Sequence, residues 1–121
     1  MDAIETFRDI YSRLEIVSSI KPGDKLNTRN GTLSIDTLVL RVTRTLFHKE
    51  SRYTAVEYCT TVINDAHNFL GGDQSELSAR LKDPLKRSIE GLKNLRATYA
   101  DDANVRGRLS ALLHSVDMML S

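Results

Sequence analysis

An all-α fold, a single-domain bundle of about five helices with a small β-hairpin inserted between the first two, is what the sequence predicts. Three observations carry that expectation. Apolar residues recur at three- and four-residue steps over most of the chain, Pro-Gly and Asn-Gly dipeptides fall together in one short region, and no linker or internal repeat separates one half from the other. The whole chain, residues 1–121, is therefore read as one helical domain.

The first helix is expected over Asp2 to Ile20, where Ile4, Phe7, Tyr11, Leu14 and Val17 form one apolar stripe and Ile10 and Ile20 widen it. Pro22-Gly23 stops it. The hairpin is expected over about 24–35, with Leu26 and Thr28 alternating on one arm and Leu33 and Ile35 on the other. Asn30-Gly31 supplies the reversing turn, because both central residues of a type I′ turn need positive φ. An ordinary loop containing Asn-Gly is the alternative reading of the same stretch. Asp36 then caps a second helix carrying Leu38, Val39, Val42, Leu46 and Phe47, and His48-Lys49-Glu50 ends it.

Ser51 is read as the cap of a third helix with Ala55, Val56, Cys59, Val62, Ile63, Ala66, Phe69 and Leu70 on its inner face. Gly71-Gly72 stops that helix and is a candidate hinge. From Asp73 or Ser75 the pattern Leu77, Leu81, Leu85, Ile89, Leu92, Leu95 and Tyr99 runs straight through Pro84. A break with Asp83 as a new cap is favoured over one long kinked helix. Asp101-Asp102 opens a last helix with Val105, Leu109, Leu112, Leu113, Val116, Met119 and Leu120 inside.

The run from Tyr11 to Arg52, with Ile20-Lys21-Pro22-Gly23-Asp24-Lys25-Leu26, the Leu33-Ser34-Ile35-Asp36 helix entry and Ser51-Arg52 opening the next helix, resembles small uncharacterised helical proteins of nucleocytoplasmic large double-stranded DNA viruses. The resemblance covers roughly the first 70 residues and carries no chemical signature. What it implies is a virus-encoded protein, such as a minor virion or capsid-associated component, with no catalytic residue to transfer.

Composition narrows the function. Seventeen basic and sixteen acidic residues leave a net charge of +1, which speaks against bulk polyanion binding by the whole molecule. With Cys59 as its single cysteine, the chain can form no internal disulfide and no cysteine-based zinc site, and a reducing, intracellular compartment is expected. The charged amphipathic start is unlike a signal peptide, and no apolar run reaches the length of a membrane span. His48, His67 and His114 fall in three different elements, with no second ligand at metal-binding spacing on the same helical face. The reading is thus a protein without metal or cofactor. Gly71-Gly72 lacks the Lys-Ser/Thr end of a phosphate loop.

Two groups of cations stand out. Arg41, Arg44 and His48 share a helical face that Lys49 and Arg52 extend, with Glu50 the one acid between positions 37 and 53. Arg80, Lys82, Lys86, Arg87, Lys93 and Arg96 form a second run, interrupted by Asp83 and Glu90. Aromatic residues are not interleaved with either group, so no stacking platform for single strands is expected. The function expected is a non-enzymatic structural or protein-interaction module that binds a protein partner or itself. Its candidate partner-binding residues are Lys25, Arg29, Asn30 and Gly31 on the hairpin and Arg41, Arg44, Lys49 and Arg52 on and after the second helix. A nucleic-acid-binding accessory protein using the same basic patch on phosphates is the alternative.

Overall fold

In a computed structural model, the structure describes residues 2–20, 25–28, 31–34, 47–72 and 75–121, with described side chains at 2–20, 55–72 and 76–121. Four helices make up the packed body: α1 (Ala3–Ser18), α2 (Phe47–Leu70), α3 (Ser75–Thr98) and α4 (Ala103–Leu120). Each start that can be inspected is chemically defined. Asp2 accepts from the Glu5 N–H at 2.8 Å, and Asp102 accepts from the N–H groups of Asn104 and Val105, so side chains satisfy donors that helix geometry leaves without partners.

The apolar stripes of all four helices meet in one core. Phe7, Ile10, Leu14 and Val17 of α1 bury with Val56, Cys59, Val62 and Ile63 of α2, Leu81, Leu85, Leu92 and Leu95 of α3, and Val105, Leu109 and Val116 of α4. At about 1.5–3 kcal/mol for each large apolar side chain removed from water, this burial is the main term that organises the chain.

Contacts between helices give their order and direction. Phe7 meets Arg80, Tyr11 meets Arg87 and Val17 meets Gly91, so α1 and α3 lie side by side and run parallel. Phe7 also meets Phe69 while Arg13 meets Asp65, so α2 runs against α1. The short connection 99–102 returns α4 against α3, and Arg96 donates to Ser110 across that pair. Going round the bundle the order is α1, α3, α4, α2, with α1 and α4 at opposite corners. The starts of α1 and α3 and the ends of α2 and α4 therefore share one end of the bundle.

The α1–α3 contact is unusually close. A Cβ built on Gly91 would stand 1.8 Å from the carbonyl oxygen of Val17 and 2.9 Å from Cα of Ser18. Only a residue without a side chain fits there. Ser88, one turn earlier on the same face, is fully buried and closes its hydroxyl internally by donating to the Leu85 carbonyl at 2.6 Å.

Several expectations are corrected. The fold of about five helices with a hairpin built into the bundle gives way to an all-α body of four helices among the described residues. Segments β1 (Lys25–Thr28) and β2 (Gly31–Ser34) pair antiparallel, with Thr28 opposite Gly31 and Leu26 opposite Leu33. The core members whose side chains are described lie on the helices or just beyond them, as Ile20 and Tyr99 do. The register places Gly31 in the strand opposite Thr28, where it was expected in the turn, and Arg29 and Asn30 lie outside the described residues.

The helix expected from Asp36 lies almost wholly outside the described residues. Its predicted end does not: Phe47, His48, Lys49 and Glu50 belong to the first turns of α2, which begins four residues before the expected Ser51 cap. No Gly or Pro interrupts 47–54, and a serine inside a helix costs only about 0.5 kcal/mol relative to alanine.

The break expected at Pro84 is absent as well. Residues Ser75–Thr98 form one helix with Pro84 inside it. Proline forfeits one backbone hydrogen bond and crowds the carbonyl four residues back, a penalty of about 3 kcal/mol. Burial of Leu81 and Leu85 on either side, with Leu92 and Leu95 beyond, outweighs that penalty only if the helix continues along one line.

Two glycines make the packing argument testable with the same substitution. Gly91→Ala is expected to lower the urea-unfolding free energy by at least about 2 kcal/mol, since a backbone has to move to admit the methyl group. Gly107→Ala, on a stretch of α4 where a new Cβ would meet nothing within 4 Å, is expected to raise it by about 0.5–1 kcal/mol. Equal effects at the two sites would refute the close approach of α1 and α3.

Candidate functional site

The parallel pairing of α1 and α3 leaves a cleft of about 470 Å³ toward the starts of both helices, lined by Ile4, Phe7, Arg8, Tyr11, Ser12, Leu77 and Arg80. That volume lies within the range of ligand-binding clefts. Its chemistry is mixed. Ile4 is 54% exposed although it continues the apolar stripe of α1, and Leu77 is half-buried beside the core.

The guanidinium groups of Arg8 and Arg80 line this apolar floor, and that of Arg87 stands next to it. Arg80 stands over the Phe7 ring at 5.0 Å from the centroid, and Arg87 over Tyr11 at 6.0 Å while also donating to the Tyr11 hydroxyl at 3.3 Å. Phe7 and Tyr11 are themselves tilted against each other at 5.7 Å. Each exposed cation–ring contact contributes roughly 0.5–1 kcal/mol, enough to hold a long side chain in place but not to neutralise it. Among the described residues, no carboxylate lies within ion-pair distance of Arg8, Arg80 or Arg87. The positive charge of the cleft is thus left for an outside group.

A second polar cluster has the opposite character. Arg13 of α1 binds Asp9 at 2.9 Å and Asp65 of α2 at 2.6 Å. Burial pulls its pKa down, but the hydrogen bond to Asp65 and the charges of Asp9 and Asp65 more than offset this, so the net shift is upward. Burial raises the Tyr58 pKa beside this cluster, against the lowering effect of Arg13. On the α2–α4 side, Arg108 pairs with Glu57. These arginines are satisfied and hold helices together.

The residues expected to bind a partner are not assembled into a described site. Arg29, Asn30, Arg41 and Arg44 lie outside the described residues. Lys25 and Gly31 fall in the strands, and Lys49 and Arg52 in the first turns of α2, with their side chains outside the description. The second basic run contributes Arg80 to the cleft and places Arg87 on the Tyr11 ring beside it. No aromatic is interleaved with this run in sequence, but Phe7 and Tyr11 of α1, more than 70 residues away, come to lie beneath its guanidinium groups.

His67 and His114 are exposed, and among the described residues no three or more His, Cys, Asp or Glu side chains are grouped to hold a metal ion. No helix of the described residues is long and apolar enough to cross a membrane. Compared with known proteins, the chain matches no family model, no curated protein and no solved structure.

Cys59 is fully buried, and that burial pushes its thiol up to about 12 from an ordinary value of 9.0. The folded thiol therefore stays protonated and shielded at pH 8, and the thiolate is the reactive form. Native protein is expected to leave a colourimetric disulfide reagent unreacted at pH 8 and to release one equivalent of chromophore on unfolding in urea. Stability should be undiminished below pH 9 on this account and fall as pH rises toward 12, because the unfolded chain loses the proton first. Rapid stoichiometric reaction of the native protein would contradict the burial.

Proposed function

We propose that this chain is a non-enzymatic interaction module that docks a protein partner through the cleft between α1 and α3. The observation that carries the reading is the pair of guanidinium groups of Arg8 and Arg80, without a described carboxylate in ion-pair reach and lining one cleft with the exposed Ile4 and half-buried Leu77. Such a face suits a protein surface that presents an acidic group next to an apolar anchor. The apolar part provides most of the affinity, and the charges orient the encounter. In its concrete form the reading is a minor virion or capsid-associated protein of a large DNA virus, supported by the resemblance of the Tyr11–Arg52 run.

Nucleic acid remains the second reading, favoured by the exposed Lys82 and Lys86 on the same helix as Arg80 and Arg87. The ring faces argue against it as the first choice. Guanidinium groups stand over both Phe7 and Tyr11, so those faces are not open to stacked bases, and Ile4 and Leu77 gain little from a phosphate backbone.

The test uses Ile4→Glu and Arg8→Glu, both at exposed positions. Each variant should keep its stability within about 0.5 kcal/mol of the parent and its helical circular dichroism. Partners retained from the native source on the immobilised parent chain should be lost on both variants. Retention by Ile4→Glu, combined with steep loss of binding by the parent as salt rises, would replace this reading with the nucleic-acid one. Full retention by both variants would remove the cleft from consideration.

A further inference from the structure

The described charges of the molecule are unevenly placed. Six of its ten described Lys and Arg side chains, Arg80, Lys82, Lys86, Arg87, Lys93 and Arg96, lie on α3 between positions 80 and 96, where Asp83 and Glu90 are the acids. The neighbouring α1 with its cap has the reverse balance, Asp2, Glu5, Asp9 and Glu15 against Arg8 and Arg13. A chain of net charge +1 thus carries a local excess of four positive charges along one helix.

The cations of α3 form two lines along its outer face. On the border with α1, Arg80 and Arg87 stand over Phe7 and Tyr11. On the border with α4, Lys82, Lys86 and Lys93 recur at steps of four and seven residues and so stay in register along the helix. Arg96 fixes which border this is, because it donates to Ser110 of α4 at 3.1 Å. Asp83 and Glu90 fall between the two lines, yet among the described residues no carboxylate is in ion-pair contact with any of the six cations. The groups that hold the arginines, two rings and two hydroxyls, carry no charge to cancel theirs.

We infer that the outer face of α3 binds the phosphate backbone of a nucleic acid, without reading its sequence. An acidic protein surface fits it less well. A stable protein interface is built round an apolar centre, and the large apolar side chains that the described residues expose, Ile4 and Met118, lie on α1 and α4 instead. Phosphate contacts need only cations and polar donors, and they fix position without specifying bases. From Lys82 to Arg96 the helix advances about 21 Å, the rise of roughly six base pairs, so the face is long enough for several phosphates at once.

The inference goes beyond the docking reading and does not rest on it. The lysines that carry it are not part of the cleft, so either surface can fail its test while the other stands.

Fluorescence anisotropy of the full chain with a labelled duplex of about 20 base pairs and mixed sequence is the test. The parent should bind at about 50 mM salt with a Kd of roughly 1–100 µM, and its affinity should fall roughly 40- to 150-fold by about 200 mM, as three or four phosphate contacts require. The combined variant Lys82→Gln, Lys86→Gln, Lys93→Gln should bind at least about tenfold more weakly at the lower salt and with a much flatter salt dependence. Lys86→Gln alone should lower the salt slope by about 1, and it is the deciding variant if the combined one loses helical circular dichroism. No binding by the parent at the lower salt overturns the inference, as does parent-like binding by the lysine variants or affinity that is indifferent to salt. Equal affinity for poly-glutamate of matched charge overturns the choice of nucleic acid and assigns the face to an acidic protein.

Discussion

The contact of Gly91 with Val17 governs how the molecule is put together. Two helices separated by more than 50 residues, α1 and α3, approach until backbone meets backbone, and a single methyl group at position 91 would prevent it. That approach sets the register along the rest of the pair. It brings Arg80 over Phe7 and Arg87 over Tyr11, and it leaves the starts of both helices open around the cleft. The two short connections, 71–74 and 99–102, let α2 and α4 cover the remaining sides of the same core.

Arginine takes two roles in this arrangement. Where a guanidinium lies between helices with carboxylates in reach, as Arg13 does with Asp9 and Asp65, its charge is used up in holding the pair together. Where the neighbour is an aromatic ring, as for Arg80 and Arg87, the side chain is positioned but its charge is not cancelled. A ring orders a cation through its quadrupole and the contact area of the side-chain stem, without the countercharge a carboxylate would supply. Such a side chain is fixed in position while its charge stays unneutralised, so ordering it further would cost little side-chain entropy.

The helical half of the sequence was legible because each helix buries one face. Phe7, Leu14 and Val17 in α1, Cys59, Val62 and Ile63 in α2, and Leu109 and Val116 in α4 are all buried as their spacing indicates. Boundaries were less legible, since the signals used for them are local and weak. Ser51 resembles a cap yet lies inside α2, and Pro84 resembles a stop yet lies inside α3, because the core on both sides outweighs a local preference of one to a few kcal/mol.

The cleft was not legible, because none of its parts is unusual on its own helix. Arg80 and Arg87 are ordinary surface cations of α3, Phe7 and Tyr11 ordinary stripe residues of α1, and only the choice of neighbour makes them a site. Gly91 is the one mark of that choice in the sequence, an isolated glycine where a good helix former would be worth about 1 kcal/mol more. Ile4 shows how far a stripe can mislead. It keeps the apolar phase of α1, yet lines the open cleft opposite Leu77 of α3 and is 54% exposed, so periodicity alone counts as core a side chain that faces solvent. Periodicity reports which face of a helix points inward, while how closely the neighbouring helix packs along it decides how much of that face is covered. The uncovered remainder, at the ends of α1 and α4, is where this bundle keeps apolar surface that folding does not use.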